Sequence, residues 1–282
     1  MRVLIFGSKG QLGRALVERL QPDARTDGVD LPEVDIARED AVRDTVEAFH
    51  PDLIVNAAAY TDVERAETER DAAFRVNETG AACVARAAAQ AGIPIVYYST
   101  DYVFDGAKRT PYDPEDAPAP LCVYAQSKEA GERATRAATP QHWIIRTAWL
   151  YGLGGNHFVE KILRAAAARP ILRVVEDEVG SPTFVDDLVE ATAVLCGTGP
   201  YGVFHAVNSG ACSRWEFAKA IVELAGLATT VESCASSEFP TVARRPSYSV
   251  LSNAKLEADT GHRMRPWRDA LEDYLKRRRS YS

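Results

Sequence analysis

The chain has 282 residues, with 33 Lys and Arg against 40 Asp and Glu, which gives a formal net charge of −7 at pH 7. Hydrophobic residues make up 46% and charged residues 26%, values typical of a soluble globular protein, so wholesale disorder and a collagen-like fibre are excluded. The acidic balance argues against nucleic acid as the main ligand, because neutralising phosphates needs a basic face.

The cysteines and histidines predict neither a metal centre nor a disulfide framework. There are five of each, the cysteines lie far apart with no Cys-x-x-Cys pair, and the histidines lack ligand spacing. Free thiols fit a reducing compartment. No apolar run approaches the roughly 20 residues that span a bilayer, and residues 2–6 are too short for a signal-peptide core. We therefore expect a cytoplasmic protein without a membrane partner.

Short apolar runs alternate with stretches of helical length along the first 175 residues. The predicted strands are Val3–Phe6, Leu53–Ala58, Ile93–Tyr98, Trp143–Ile145 and Leu172–Val175, with a weaker one at Arg25–Val29. The predicted helices between them are Leu12–Leu20, Ala41–Phe49, Ala72–Ala91, Ala125–Ala138 and Phe158–Ala168. The runs lack polar alternation, which is typical of parallel strands covered on both faces. The alternation of predicted strands and helices along the chain predicts a Rossmann-type, doubly wound parallel α/β sheet.

Turn-rich loops change the character of the chain after about residue 150. We expect residues 1–150 to form the Rossmann domain, completed by returning segments at about 171–200. Residues 151–282 then form mainly a smaller α/β lobe, interleaved with the first. Its predicted elements are helices at 184–196, 214–225 and 266–278 and a short strand at Val203–Val207.

A glycine-rich loop directly follows the first strand and opens the first helix. Its glycines are Gly7, Gly10 and Gly13, spaced G-x-x-G-x-x-G. A helix N-terminus with bare backbone presents N–H groups to a diphosphate. Gly7 permits the tight turn, Gly10 allows close approach of the ligand, and Gly13 allows helix and strand to pack closely. The position of the loop favours nucleotide binding over a generic strand–helix turn.

Two residues near the loop give opposing indications about the cofactor. Asp27, near the end of the weak second strand, is placed to accept from ribose hydroxyls and favours NAD, whereas Lys9 is placed to meet a 2′-phosphate and favours NADP. Asp35, followed by Ile36, either accepts from the adenine amino group or caps the next helix. The residues alone leave both questions open.

Small and polar residues follow the third and fourth strands, where open α/β sheets bind ligands. Asn56-Ala57-Ala58-Ala59-Tyr60-Thr61 leaves room for a flat ligand, and Ser99-Thr100-Asp101-Tyr102 ends the fourth strand. Tyr124 and Lys128 then lie four residues apart, on one face of a helix. A phenol with a pKa near 10 needs a nearby ammonium to act near neutral pH, and Lys128 supplies one. The spacing alone also fits a surface helix pair.

Together these segments resemble the extended branch of the short-chain dehydrogenase/reductase superfamily, and most of all its dTDP-4-dehydrorhamnose reductase family. The resemblance covers nearly the whole chain. Its segments are Gly7–Gly13, Asn56–Thr61, Ser99–Gly106, Val123–Gly131, Arg146–Gly152, Asn156–Phe158, Gly180–Thr183, Arg245-Pro246 and Trp267. The related 4,6-dehydratases carry an Asp-Glu pair after the threonine, whereas this chain has Asp101-Tyr102.

The resemblance implies roles for individual residues. Thr100, Tyr124 and Lys128 would be catalytic. The cofactor would contact Gly10, Gln11, Leu12, Asp35, Ile36, Ala59, Tyr60, Thr61, Tyr124 and Lys128, to which the loop and strand-end arguments add Gly7, Gly13, Ala57 and Ala58. The residues facing the sugar nucleotide would be Thr100, Asp101, Tyr102 and Trp149. Asn156 is assigned to the pyrimidine base, and Arg245 either to the diphosphate or to a surface ion pair.

The resemblance also implies an activity: reduction of the C4 ketone of dTDP-4-dehydro-β-L-rhamnose by NADPH, with NADH also accepted. Two alternatives stay open, namely a reductase of another dTDP-4-keto-6-deoxysugar and a non-catalytic nucleotide-binding regulatory subunit. Some family members bind Mg²⁺ at a dimer interface. The sequence allows a homodimer, but no residue in it carries that metal site over.

Overall fold

The structure is a computed structural model and describes residues 1–20 and 24–281. Six parallel strands form the central sheet in the order β10-β5-β4-β3-β1-β2. They are β1 (Arg2–Phe6), β2 (Arg25–Val29), β3 (Leu53–Asn56), β4 (Ile95–Thr100), β5 (His142–Thr147) and β10 (Gly202–His205). Four apolar residues of β1 and all of β3 and β4 are buried. The structure therefore confirms the doubly wound α/β fold.

Helices cover both faces of this sheet. Helices α1 (Gln11–Leu20) and α8 (Val185–Thr198) pack on one face through Leu16 and Leu188. Helices α2 (Glu39–Phe49) and α5 (Ala81–Ala91) pack on the other through Val42 and Val84. Beside α5 lies α6 (Val123–Ala138). Short helices α3 (Val63–Ala66) and α4 (Arg70–Phe74) follow β3.

The remaining elements build a second apolar cluster around Tyr151, Phe184, Phe217 and Tyr274. Its helices are α7 (Phe158–Ala168), α9 (Arg214–Ala225) and α11 (Trp267–Tyr281), while α10 (Ala254–Thr260) packs against α8 and β10. Its strands form three two-stranded ladders: β6 (Leu150–Tyr151) with β9 (Thr183–Phe184), β7 (Ile171–Val175) with β12 (Thr230–Cys234), and β8 (Val179–Gly180) with β11 (Cys212–Ser213). The division into two lobes at residue 150 stays a prediction.

Two predicted strands exchange places in the structure. The run Leu172–Val175, predicted to continue the central sheet, lies in β7 and pairs with β12 outside it. The run Val203–Val207, predicted for the smaller lobe, lies largely in β10 and pairs with β5 at the edge of the central sheet. In β7 the exposed Ile171 and Arg173 alternate with the buried Leu172 and Val174, so this strand is covered on one face only. An apolar run does not encode its pairing partner.

The stretch Ala72–Ala91, predicted as one helix, is also interrupted. It comprises the end of α4, a π-helical turn over Arg75–Gly80, and α5. The buried Asn77 lies in this π-helical turn, and π-helical turns inside helices are frequent at functional sites. The other predicted helices are confirmed to within three residues at each end.

Candidate active site

A cavity of about 790 Å³ opens at the carboxyl ends of β1, β3 and β4. This is the edge at which open α/β sheets bind ligands. The glycine loop forms one part of its wall, and Tyr124 and Lys128 of α6 form another. The fold thus brings the sequence segments singled out for cofactor and catalysis to one cavity.

The glycine loop is shaped by close backbone packing. Gly7 has a φ of +83°, and a Cβ on it would lie 2.5 Å from the backbone nitrogen of Ala58. A Cβ on Gly13 would lie 2.0 Å from the carbonyl oxygen of Gly7. Any side chain at either position would therefore displace the loop, because real Cβ atoms do not approach backbone atoms so closely.

Most residues predicted to contact the cofactor line this cavity. They are Gly7, Gly10, Gln11, Leu12, Asp35, Ile36, Ala57, Ala58, Ala59, Tyr60, Thr61, Tyr124 and Lys128. Gly13 is not among the lining residues, because it packs against the Gly7–Ser8 turn. Its role in the structure is to let α1 approach that turn.

At the end of β2, the acidic residue beside the cavity is Asp30 rather than Asp27. Asp30 lines the cavity, and its carboxylate accepts hydrogen bonds from the backbone N–H groups of Lys9 (2.8 Å) and Leu31 (2.7 Å). Asp27 lies within the strand, 3.6 Å from Arg25. Asp30 therefore lies at the cavity, whereas Asp27 does not line it.

Lys9 is engaged in an exposed ion pair, with which its predicted contact to a 2′-phosphate would compete. Its ammonium group donates to Glu33 at 2.7 Å and to the carbonyl oxygen of Leu31 at 2.9 Å. The ion pair with Glu33 lies in the exposed loop after β2.

Asp35 lines the cavity and does not cap α2. That helix begins at Glu39, and its N-cap position is Arg38. One Asp35 oxygen accepts from the backbone N–H of Ala37 at 3.0 Å, and the other pairs with Arg75. Of the two alternatives that the sequence left open, the structure excludes helix capping.

Several buried polar atoms that belong to cavity-lining residues have no protein partner within the described part of the chain. They are Gln11 Nε2, Asn56 Nδ2, Ser99 Oγ, Thr147 Oγ1 and His157 Nδ1. Buried polar groups are normally hydrogen-bonded, so such a set calls for a polar ligand. Together with the open backbone at Gly10, these atoms fit a dinucleotide at the ends of β1, β3 and β4.

Lys128 is buried at the inner wall of the cavity. Its Nζ donates to the carbonyl oxygen of Tyr98 at 2.6 Å and lies 4.2 Å from the centre of the Tyr97 ring. Burial lowers the pKa of Lys128 to about 7, and the negative charge of Glu132 opposes this shift. The cation is therefore held by a carbonyl and an aromatic face.

Tyr124 lies one helical turn before Lys128 on the same face of α6. Burial raises the pKa of Tyr124, and a hydrogen bond with Thr100 acts in the opposite direction. The ring of Tyr102 meets that of Tyr124 edge-on, with 6.2 Å between centroids. In the free protein Tyr124 is thus a protonated phenol at neutral pH, which is the state a proton donor needs.

Thr100 and Asp101 form a hydrogen-bonded pair at the end of β4. The Thr100 hydroxyl donates to Asp101 Oδ1 at 3.1 Å and accepts from the backbone N–H of Tyr102 at 3.2 Å. Asp101 Oδ2 accepts from the Ser249 hydroxyl at 2.5 Å. Burial raises the pKa of Asp101 to about 6, opposed by the Ser249 hydrogen bond and by the charge of Arg214. Asp101 therefore joins β4 to the 247–252 segment.

Asn77 in the π-helical turn joins α6 to the loop after β3. Its side chain accepts from the backbone N–H of Tyr60 at 2.8 Å and donates to the Tyr60 carbonyl at 3.0 Å and to Ser127 Oγ at 2.9 Å. Ser127 directly precedes Lys128. Asn77 thus ties the loop after β3 to α6.

The residues predicted to meet the substrate divide into two groups. Thr100, Asp101, Tyr102 and Trp149 line the cavity. Asn156 is exposed and Arg245 is paired with Glu64 at 2.8 Å, and neither is among the lining residues. The ion-pair alternative for Arg245 is the one that the structure displays.

Three charged residues of the cavity were not anticipated from the sequence. Asp30 directly follows β2, whose bounds agree with the prediction, Arg75 lies inside the interrupted helix, and Arg214 begins α9, more than 60 residues beyond α6. Only Asp30 carried a sequence signal, as an acidic residue directly after the predicted second strand.

Comparison with known proteins assigns the family. The family model described as RmlD substrate binding domain matches residues 1–280. The chain belongs to the RmlD family. It is 41% identical over 280 residues to the Bacillus subtilis spore coat polysaccharide biosynthesis protein SpsK, covering 99% of this chain and 98% of that protein. It is 39% identical to a Sinorhizobium fredii dTDP-4-dehydrorhamnose reductase, covering 96% and 95%.

Solved structures of RmlD family members share the fold. The Bacillus anthracis dTDP-4-dehydrorhamnose reductase in complex with NADP superposes with a TM-score of 0.95 at 39% identity, covering 98% of this chain and 99% of that one. A Clostridium acetobutylicum dTDP-4-dehydrorhamnose reductase gives a TM-score of 0.95 at 37% identity, with the same coverage. The similarity covers the apolar cluster around Tyr151 as well as the central sheet.

Two features are absent from residues 1–20 and 24–281. None of the helices there has both the length and the apolar character needed to cross a membrane. In the same residues, no three His, Cys, Asp or Glu side chains are grouped so as to hold a metal ion.

Proposed function

We propose that this RmlD family member reduces the C4 ketone of dTDP-4-dehydro-β-L-rhamnose to dTDP-β-L-rhamnose with NADPH. The observation that carries the proposal is the meeting of Thr100, Tyr124 and Lys128 in the cavity that the glycine loop also lines. Support for the substrate comes from relatives named dTDP-4-dehydrorhamnose reductase that match this chain over nearly its full length.

The residues that would hold the cofactor follow the carboxyl edge of the sheet. The N–H groups of Gln11 and Leu12, at the start of α1, suit its diphosphate. Asp30 and Asp35 border the adenosine end, while Lys128 reaches toward the nicotinamide ribose. NADPH supplies the hydride when it is bound. The chain itself contributes orientation and electrostatics.

Tyr124 acts as the proton donor. As the ketone is reduced, negative charge develops on its oxygen, and the Tyr124 hydroxyl donates its proton there. The resulting phenolate would be costly in a buried site, so it needs a positive charge nearby. Lys128, on the same face of α6, provides this charge.

Thr100 orients the substrate oxygen beside Tyr124. In the free protein its hydroxyl proton points to Asp101. Substrate binding requires this proton to turn to the ketone, or Asp101 to take up a proton of its own. The pKa of Asp101, raised to about 6 by burial, makes a protonated Asp101 accessible near neutral pH. Asp101 and Ser249 thus position Thr100.

The direct test is turnover of dTDP-4-dehydro-β-L-rhamnose with NADPH, followed at the nicotinamide absorbance, with the product identified by NMR. Formation of dTDP-β-L-rhamnose supports the proposal. Turnover of only a different dTDP-4-keto-6-deoxysugar would replace the substrate and keep the mechanism. A folded protein that binds NADPH but reduces none of these sugars would contradict an enzymatic role and favour the regulatory alternative.

Cytoplasmic location and homodimer formation are also proposed. The five cysteines are all unpaired in the structure, which suits a reducing compartment. Sedimentation of the purified protein gives its oligomeric state directly, and a monomer at micromolar concentration would contradict the dimer.

A further inference from the structure

The cavity must hold the two negative charges of a nucleoside diphosphate in addition to the cofactor, if the proposed function is correct. Three side chains that line it are cationic, namely Arg75, Lys128 and Arg214. A fourth ionisable base, His157, is kept neutral because burial lowers its pKa. The position of each cation decides which of them can meet the sugar nucleotide.

Two of the three cations already have a role elsewhere in the cavity. Arg75 pairs with Asp35, at the adenosine end. Lys128 is buried and donates to the Tyr98 carbonyl, beneath Tyr124. The guanidinium of Arg75 and the ammonium of Lys128 are therefore not available at the outer part of the cavity, beyond Thr100 and Asp101.

Arg214 stands in that outer part. Its Cζ lies 3.5 Å from the centre of the Trp149 ring system and 5.3 Å from that of Phe158. Its positive charge acts on two residues at the end of β4. It lowers the pKa values of Asp101 and Tyr102, which burial raises by more. The guanidinium is thus held between the aromatic wall and the Thr100–Asp101 pair.

The donors of Arg214 are largely unused. Within the described part of the chain, its side chain donates no hydrogen bond, and the nearest carboxylate oxygen, on Glu178, lies 3.6 Å from Nε. The pair is only 14% and 15% exposed, so water does little to screen it. A guanidinium has five N–H donors that match phosphate oxygens in a bidentate manner.

Arg245, for which the sequence left the diphosphate and a surface ion pair open, forms an ion pair in the structure, while its buried Nε has no partner within the described residues. Its Nη2 donates to Glu64 at 2.8 Å, and the same carboxylate accepts from the backbone N–H of Val242 at 2.9 Å. Arg245 therefore fastens the 242–245 segment to α3. It lies outside the cavity lining.

We infer that Arg214 binds the diphosphate of the sugar nucleotide, stacked on Trp149 and in competition with Glu178. The inference rests on the proposed function for the identity of the ligand. One face of the Trp149 ring is covered by the guanidinium, so Trp149 acts through Arg214 and presents at most its other face to the sugar.

The test measures the affinities of thymidine, dTMP and dTDP for the protein saturated with NADP⁺, by calorimetry. For the unmodified protein we expect affinity to rise with each phosphate. In Arg214→Met the affinity for dTDP should fall roughly 10–100-fold, the range of one charge-assisted hydrogen-bonded contact, while that for thymidine changes little. The dTDP affinity of Arg214→Lys should lie between those of the unmodified protein and of Arg214→Met, because lysine keeps the positive charge and loses the bidentate hydrogen bonding of the guanidinium.

Two further variants make the test sharper. Glu178→Gln removes the competing carboxylate and should strengthen dTDP binding a few-fold, opposite in sign to Arg214→Met. Lys219→Met removes an exposed charge from the same helix and should leave all three affinities unchanged. Thermal melts confirm that each variant is folded.

The outcomes separate the inference from the proposed function. An unchanged dTDP affinity in folded Arg214→Met, or an equal loss for thymidine and dTDP, overturns the inference. A loss of dTDP binding in Arg245→Met but not in Arg214→Met assigns the diphosphate to Arg245 and overturns it as well. If dTDP affinity depends on Arg214 in a protein that reduces no 4-keto sugar, the inference stands and the proposed function fails.

Discussion

Lys128 carries a charge in a place where charge is costly. Burial lowers its pKa to about 7, although it donates to the Tyr98 carbonyl and faces the Tyr97 ring. Lysine in the unfolded chain has a pKa near 10.4. Between these two values the unfolded chain binds more protons than the folded protein, so the stability that depends on Lys128 increases with pH.

Lys128→Met removes this dependence. Relative to the variant, the unmodified protein should gain stability between pH 7 and pH 9, by at most about 1.4 kcal/mol per pH unit. Urea unfolding of both proteins without cofactor, at pH 6, 7, 8 and 9, measures the difference. Lys219→Met is the control for loss of an exposed lysine. Curves for Lys128→Met and unmodified protein that run parallel across this range would contradict the burial argument.

Asp30 sets the second prediction, which concerns the choice between NADPH and NADH. An acidic residue after the second strand accepts from the ribose hydroxyls and repels a 2′-phosphate. Asp30→Asn removes the negative charge. It should raise the ratio of kcat/KM for NADPH over that for NADH roughly tenfold, the effect of about 1.4 kcal/mol.

Glu33→Gln provides the matched comparison, because it frees Lys9 from its ion pair. Glu33→Gln should also favour NADPH, because the freed Lys9 attracts the 2′-phosphate, whereas Asp30→Asn acts by removing a repulsion. Asp27→Asn, within β2 and paired with Arg25, should leave the ratio unchanged. A shift caused by Asp27→Asn and not by Asp30→Asn would restore the assignment that the sequence suggested.

The contact between α6 and the π-helical turn determines where Tyr124 and Lys128 lie. A Cβ on Gly131 would come within 2.2 Å of the Asn77 carbonyl oxygen and 2.3 Å of the Tyr97 hydroxyl. Those atoms belong to a backbone and to a fully buried ring. Neither of them can yield without moving α6 away from the turn.

Gly131→Ala should therefore destabilise the protein by about 1–3 kcal/mol, the usual cost of overpacking a core. Its counterpart is Gly197→Ala in α8, where a Cβ meets nothing within 4 Å. There alanine should stabilise by about 0.5–1 kcal/mol, because glycine is the poorer helix former. Urea unfolding measures both changes. Equal effects of the two substitutions would show that helix propensity alone governs them.

The same elements show what could be predicted from the sequence. The glycine loop and the Tyr124–Lys128 spacing are local patterns, in which adjacent residues must take one geometry, and both were found. The π-helical turn was missed, and the hydrogen-bond partners of its buried Asn77 are Tyr60 and Ser127, residues 17 and 50 positions away in the chain. Local spacing contains no information about such partners.

For the molecule as a whole, the fold class followed from the alternation of strands and helices, but strand order did not. The runs in β7 and β10 exchanged places because apolar composition is shared by every covered strand and does not specify its partner. Arg214 was missed for a similar reason. It reaches the cavity only because the second apolar cluster places the start of α9 beside Trp149.

The proposed mechanism depends most directly on Tyr124, which α6 places in the cavity at the end of the sheet. Tyr124→Phe removes one hydroxyl and keeps the ring that packs against Tyr102. General acid catalysis contributes about 10²–10⁴ in rate, and the proton moves only in the transition state, so the loss should fall on kcat. Cofactor affinity should change little, because Lys128 is still present.

The decisive measurement is kcat for dTDP-4-dehydro-β-L-rhamnose at saturating NADPH, for the unmodified protein and for Tyr124→Phe. A thermal melt and an NADPH titration confirm that the variant is folded and binds cofactor. We predict a decrease in kcat of about 10²-fold or more. A folded, cofactor-binding Tyr124→Phe protein that keeps more than about a tenth of the original kcat would contradict the role of Tyr124 as the proton donor.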